Sequence, residues 1–211
     1  MKTIGTILLI LIFLCTQAQP TRYEQAMAKA LEQLNQASMG DDFINAANTF
    51  ERISLNDKKE WLPLYYAAYS YIVVTYVLTD NTQKDAYLDK AQKFLDDAFL
   101  LAPDESELYT LQAFLYPSRI TVDPMARGAE YIGKMNLALD KAIDLNPQNP
   151  RSYYLRAITT LNMPEAFGGG PAAAKPICEL AKEKFNNFRP ETSLSPNWGK
   201  EQNEEELNKL Q

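Results

Sequence analysis

The feature that most narrows what this chain can fold into is a register that returns every 44 residues. Leu95 aligns with Leu139, Asp96 with Asp140, Ala98 with Ala142, and Leu101 with Leu145. Pro103 pairs with Pro147 and Tyr109 with Tyr153 at the same interval. One step earlier the ladder continues through Ala47 and Ala91, Phe50 and Phe94, Leu64 and Leu108, and Tyr65 and Tyr109. Phe43, Tyr87 and Tyr131 lie on it too. A chain of units that cannot each bury an apolar face must stack them into one continuous core.

Within a unit the apolar spacing is helical. In "YLDKAQKFLDDAFLLAP", Leu88, Ala91, Leu95, Ala98 and Leu101 recur at steps of three and four, which makes one stripe on a helix. Strand-like alternation is absent. Asn149 before Pro150 and Asp123 before Pro124 read as N-caps with proline in the first turn. Asn81 or Thr82 can open the helix that holds Ala91, and Pro103 and Pro147 close helices. The chain therefore reads as all-α, built from antiparallel helix pairs.

These stripes resemble the second helix of a tetratricopeptide repeat. That helix carries a small residue, a bulky one four later, a small one three later, and a proline five beyond. Ala91, Leu95, Ala98 and Pro103 match throughout, whereas Met135, Leu139, Ala142 and Pro147 match with a larger first residue. Tyr109 and Tyr153 then stand where the next first helix places its aromatic, followed by Ala113 and Ala157. The resemblance covers about residues 22–185 and implies a right-handed superhelical array of about four units. The ordinary repeat takes roughly 34 residues, so these units are expanded. The surplus falls between first and second helices, with residues 79–84 and 117–128 holding part of it.

The ends read differently. Lys2, the apolar run Ile7–Leu14 and the small residues Thr16 and Ala18 form a signal peptide over residues 1–18, with its cut after Ala18. The run is too short to span a bilayer, so no integral span is expected after cleavage. Leu14 ahead of Cys15 argues against lipid attachment there. The expectation is an exported, periplasmic protein with a repeat domain over 19–185, then a loop and C-terminal capping helix over 186–211. "FGGG" together with "PNWG" resembles a group of exported tetratricopeptide-like bacterial proteins, which implies location and fold only.

Charge and residue types exclude several chemistries. The net charge is −6, and it becomes more negative once Lys2 leaves, so the surface repels nucleic-acid phosphates and anionic lipid. There is no histidine anywhere in the sequence, which removes the commonest base and metal ligand. Cys178 lacks an activating base and stands where Leu95 and Leu139 stand in their units, a core position. Asp41–Asp42 and Asp96–Asp97 read as solvated charge. "GGGPAAAKP" (168–176) resembles a phosphate loop only superficially. Ala174 replaces its second glycine, Pro176 follows Lys175 where a hydroxyl is needed, and Pro171 and Pro176 remove amides. It reads as a turn into the last second helix, with Ala174, Cys178 and Ala181 as packing residues. No catalytic residue, cofactor or metal site is expected.

Tyr65, Tyr69, Ile72 and Tyr76 form a packing stripe on the first helix "EWLPLYYAAYSYIVVTYVL". By the tetratricopeptide resemblance, the residue after each core aromatic faces a concave groove. That places Tyr66, Thr110 and Tyr154 along it, with Ser70, Phe114 and Ile158 one turn on and Arg151 at the rim. Such residues suit recognition of a protein or peptide segment by a non-catalytic scaffold, although they equally suit packing against an accessory helix. The competing reading is a periplasmic small-ligand-binding accessory to solute uptake. It needs a closed pocket walled by the tyrosines and the 117–128 insert.

Overall fold

A computed structural model describes residues 20–210. Their regular structure is helical: α1 (Arg22–Asn35), α2 (Gly40–Asn56), α3 (Leu62–Val74), α4 (Asn81–Leu101), α5 (Ser106–Val122), α6 (Pro124–Leu145), α7 (Pro150–Asn162), α8 (Pro171–Asn187) and α9 (Lys200–Lys209). The segment expected to be a signal peptide, with Cys15, lies outside the described residues. Each helix packs on the next in sequence, as short connections dictate. The odd-numbered helices α3, α5 and α7 also touch one another in turn, so they form one row.

Side chains set the helix boundaries. Thr21 and Glu24 close a capping box on α1, with Glu24 Oε2 accepting from the Thr21 amide at 2.6 Å. Asp123 accepts from the Ala126 amide at 3.1 Å ahead of Pro124, and Asn149 accepts from the Arg151 amide at 3.1 Å ahead of Pro150. The cap of α4 is Asp80, one residue before the expected Asn81, because its Oδ1 reaches the Thr82 amide at 2.8 Å. The surplus of the expanded unit sits mostly inside helices. Residues 117–122 complete α5 and 124–128 open α6, so Asp123 alone joins them.

Small residues let these helices approach closely. Ala30, Ala46, Ala47, Ala67, Ala68, Ala91, Ala98 and Ala142 are all fully buried, and Phe50, Leu88, Leu95, Leu111 and Leu139 fill the space between them. Burial runs nearly all round α3, as expected of a helix wedged between α2, α4 and α5. Ala174, Cys178 and Ala181 form the buried face of α8, and burial pushes the Cys178 thiol pKa up.

The three glycines between α7 and α8 each meet a separate need. Gly168 and Gly170 have φ of +82° and +88°, where a Cβ is strained. A Cβ on Gly169 would stand 2.2 Å from the Met163 carbonyl oxygen, inside contact distance. Their amides are consumed locally: Gly168 donates to Glu165 O, Gly169 to Pro164 O and Gly170 to Thr160 O at 2.9–3.2 Å. None remains to cradle an anion. Gly169→Ala should therefore cost about 2 kcal/mol, in the range of overpacked sites. Gly133→Ala, in α6 with open space at its Cβ, should gain about 0.5–1 kcal/mol. Urea unfolding of the two variants tests this; a neutral Gly169→Ala would contradict the close approach.

Candidate functional site

The seven residues expected to face a groove do fall on the α3–α5–α7 row. Tyr66 and Ser70 come from α3, Thr110 and Phe114 from α5, and Arg151, Tyr154 and Ile158 from α7. They do not line an open channel, because residues 188–199 lie along the row. Tyr66 is buried and donates its hydroxyl to Leu194 O at 2.8 Å. The Trp198 indole donates to the Tyr65 hydroxyl at 2.8 Å. Its ring meets Phe114 at 5.3 Å, Tyr69 at 5.6 Å and Tyr154 at 6.4 Å between centroids. Gly199, with φ of +98°, packs beneath Phe185 and Tyr154, where a Cβ would be strained by the backbone and stand 3.1 Å from the Phe185 ring. The "PNWG" segment is thus a docking segment for the aromatic row.

Ser70 and Thr110 are structural. Ser70 Oγ donates to Tyr66 O at 2.7 Å within its own helix. Thr110 Oγ1 joins a fully buried polar chain with Ser152 Oγ (2.8 Å) and Asn149 Nδ2 (3.2 Å), and Asn149 reaches Ser106 Oγ at 3.0 Å. Ser106 Oγ then donates to Ala142 O at 2.8 Å, which ties α5 to α6. Buried hydroxyls satisfied in this way fix the register of adjacent helices.

Arg151 is 1% exposed and forks onto Glu107, with Nε to Oε2 at 2.8 Å and Nη2 to Oε1. Burial opposes its charge, but the Glu107 carboxylate overrides that by attraction and hydrogen bonding. Phe188 covers the guanidinium at 4.6 Å. The sequence reading missed Glu107, although it precedes Arg151 by 44 residues and so occupies the equivalent place one unit earlier.

Ile158 is the one residue of the seven that lines an apolar cleft. A cleft of about 310 Å³ lies between the C-terminal halves of α5 and α7 and the first half of α6. Pro117, Ile120, Ile132, Met135, Ile158, Met163 and Pro164 make its walls. Its two polar side chains turn towards their own helix: Thr159 Oγ1 donates to Leu155 O at 2.8 Å, with the Met135 sulfur at 3.5 Å as its alternative acceptor, and Asn162 Nδ2 donates to Ile158 O at 2.8 Å. The wall is therefore apolar in effect. Pro117 and Ile120 belong to the insert expected to wall a pocket, whereas the tyrosines are absent from it. Elsewhere, Asp42 accepts from the amides of Ser38 and Met39, and Asp97 pairs with Lys93 at 2.7 Å. Among the described residues no group of three His, Cys, Asp or Glu could hold a metal ion, and no helix is long and apolar enough to cross a membrane.

No protein-family model matches the chain, and neither does any curated protein. Among solved structures, the chain is similar to the HusA haemophore from Porphyromonas gingivalis, with a TM-score of 0.82 and 27% sequence identity. The match covers 92% of this chain and 95% of that one.

Buried phenols give the aromatic row a pH signature. Burial raises the pKa of Tyr69 to about 12 from the ordinary 10.0, and raises Tyr65, Tyr66 and Tyr154 further. A folded-state pKa above the unfolded one gives stability that is complete below about pH 10 and is lost as pH rises towards 12. The unfolding free energy should stay level from about pH 7 to 9 and fall steeply above about pH 10, with tyrosinate absorbance growing as helical dichroism is lost. Full tyrosinate absorbance at about pH 11 with the helices intact would contradict the docked row.

Proposed function

We propose that this protein is an exported, non-catalytic carrier of a planar tetrapyrrole of the haem class, held against the apolar cleft between α5, α6 and α7. The array is read as a tetratricopeptide-like superhelix of four expanded pairs, and the N-terminal leader as the export signal. The observation that carries the reading is the cleft itself: seven apolar side chains with only Thr159 and Asn162 polar, in a chain similar over nearly its full length to a haemophore. A haemophore carries haem, and an apolar macrocycle gains most by leaving water for such a wall. The cleft is at the small end of ligand pockets, roughly 300–1,000 Å³. It would cover a face or edge of the ring and leave the charged propionates in solvent.

Recognition then rests on apolar contact more than on ligation of the iron. The chain has no histidine, and burial holds the Cys178 thiol protonated in the core. The Met135 and Met163 thioethers are the soft groups within the cleft. The peptide-scaffold reading has less support, because the row it would use is taken by the chain's own residues 188–199. Ile158 is the residue from that reading that carries over to this one.

Haem and metal-free protoporphyrin should both bind, with dissociation constants within about tenfold of each other, since the contact is shared. Ile158→Asp, which puts a carboxylate into the apolar wall, should weaken both by at least about tenfold, about 1.4 kcal/mol. Absorbance and fluorescence titrations of the purified protein provide the readout. Failure of either porphyrin to bind, or unchanged affinity in Ile158→Asp, would contradict the proposal.

A further inference from the structure

A second cavity, of about 240 Å³, lies at the opposite ends of α5 and α7 from the apolar cleft. Glu107 and Pro117 are ten residues apart on α5, and Arg151 and Ile158 are seven apart on α7. At 1.5 Å per residue, the two sites are separated by about 10–15 Å along the helices. They share no lining residue. This cavity is charged, with Glu105, Arg151, Lys184, Arg189 and Glu191 around it and the rings of Trp61 and Phe188 in its wall.

Two observations mark it as more than a salt-bridged surface. Arg151 is 1% exposed, its Nε and Nη2 are committed to Glu107, and its Nη1 has no hydrogen-bond partner among the described residues. A buried guanidinium nitrogen left unpaired costs free energy, so it is expected to meet an acceptor. Second, charges of both signs around it remain unpaired. Glu105, Glu191, Lys184 and Arg189 make no ion pair among the described residues. Lys184 has only a 3.4 Å contact to Gln148 Oε1 and the Tyr153 ring, and Arg189 Nη1 donates to the carbonyls of Asn186 and Phe188. Burial raises the Glu105 pKa, so that carboxylate would gain from a nearby cation.

A simple anion would face Glu105 and Glu191 here, and a simple cation would face Lys184 and Arg189. A molecule carrying both signs a few ångströms apart satisfies all of them. We propose that this cavity is a binding site for a free α-amino acid with an apolar side chain. Its carboxylate accepts from Arg151 Nη1, its ammonium donates to Glu105, and its side chain rests against Trp61 and Phe188. Phe188 covers the guanidinium, so entry requires that ring to turn aside. The site is independent of the tetrapyrrole reading and stands or falls separately.

Calorimetric titration of the full protein with L-phenylalanine and L-leucine tests the site. N-acetyl-L-phenylalanine and L-phenylalaninamide serve as probes lacking one charge each. The free amino acids should bind, and both blocked forms should bind at least tenfold more weakly. Glu105→Gln keeps an oxygen that can accept from the Glu107 amide and so preserves the helix cap. It should leave the melting temperature and porphyrin titration unchanged while weakening L-phenylalanine at least tenfold. The proposal is overturned if neither amino acid binds at millimolar concentration, if the blocked forms bind as well as the free ones, or if Glu105→Gln binds like the parent. A crystal structure of the protein soaked in L-phenylalanine that shows only ordered water on Arg151 Nη1 would overturn it too.

Discussion

Residues 188–199 determine what the helical row can do, and Trp198 is their anchor. Its indole meets rings from α3, α5 and α7 and donates to the Tyr65 hydroxyl, so one side chain bridges three successive units. Each ring pair adds about 0.5–1.5 kcal/mol beyond simple burial. The same segment brings Leu194 O to the Tyr66 hydroxyl and Phe188 over Arg151. A row of tyrosines that would otherwise form a wet binding surface becomes interior. The apolar cleft and the charged cavity lie at the two ends of that row.

The two ends differ in kind because the helices bring different residues there. At the N-termini of α5 and α7, Glu107 and Arg151 form a pair closed from solvent, and the surrounding charges remain polar and unpaired. At the C-terminal ends, Pro117 removes a backbone donor, Thr159 and Asn162 turn their donors back onto their own helix, and isoleucines and methionines make the surface. The glycine turn fixes how α8 leaves that region: it ties Gly170 to Thr160 and brings the chain hard against Met163, itself part of the cleft.

The helical order was legible in the sequence because its causes are local. Stripes at three and four residues, caps at Asp123 and Asn149, and prolines after α4 and α6 need no knowledge of distant contacts. The assignment of Tyr66, Thr110 and Arg151 to one row was legible for the same reason, since the 44-residue register carries it. The covering of Tyr66 and Arg151 was not, because it depends on residues 188–199, which follow no period. Pro117 and Ile120 fall in the insert expected to wall a pocket, but Ile132, Met135 and Met163 are not legible as part of a site. Each reads as an ordinary apolar residue, and only the meeting of three helix ends makes them one surface. The three glycines had no sequence explanation because the obstacle at Gly169 is a carbonyl oxygen on a turn whose path the sequence does not give.

The central claim is that ligand binding lies at the α5–α6–α7 cleft and leaves the docked aromatic row undisturbed. Methyl and indole NMR spectra recorded as haem is added test it most directly. The account predicts that the resonances of Ile120, Ile132, Ile158, Met135 and Met163 shift or broaden, while the Trp198 indole and the Leu194 methyls stay in place. Perturbation of Trp198 and Leu194 with Ile158 unchanged would contradict it and would put the ligand on the row in place of the chain's own C-terminal segment.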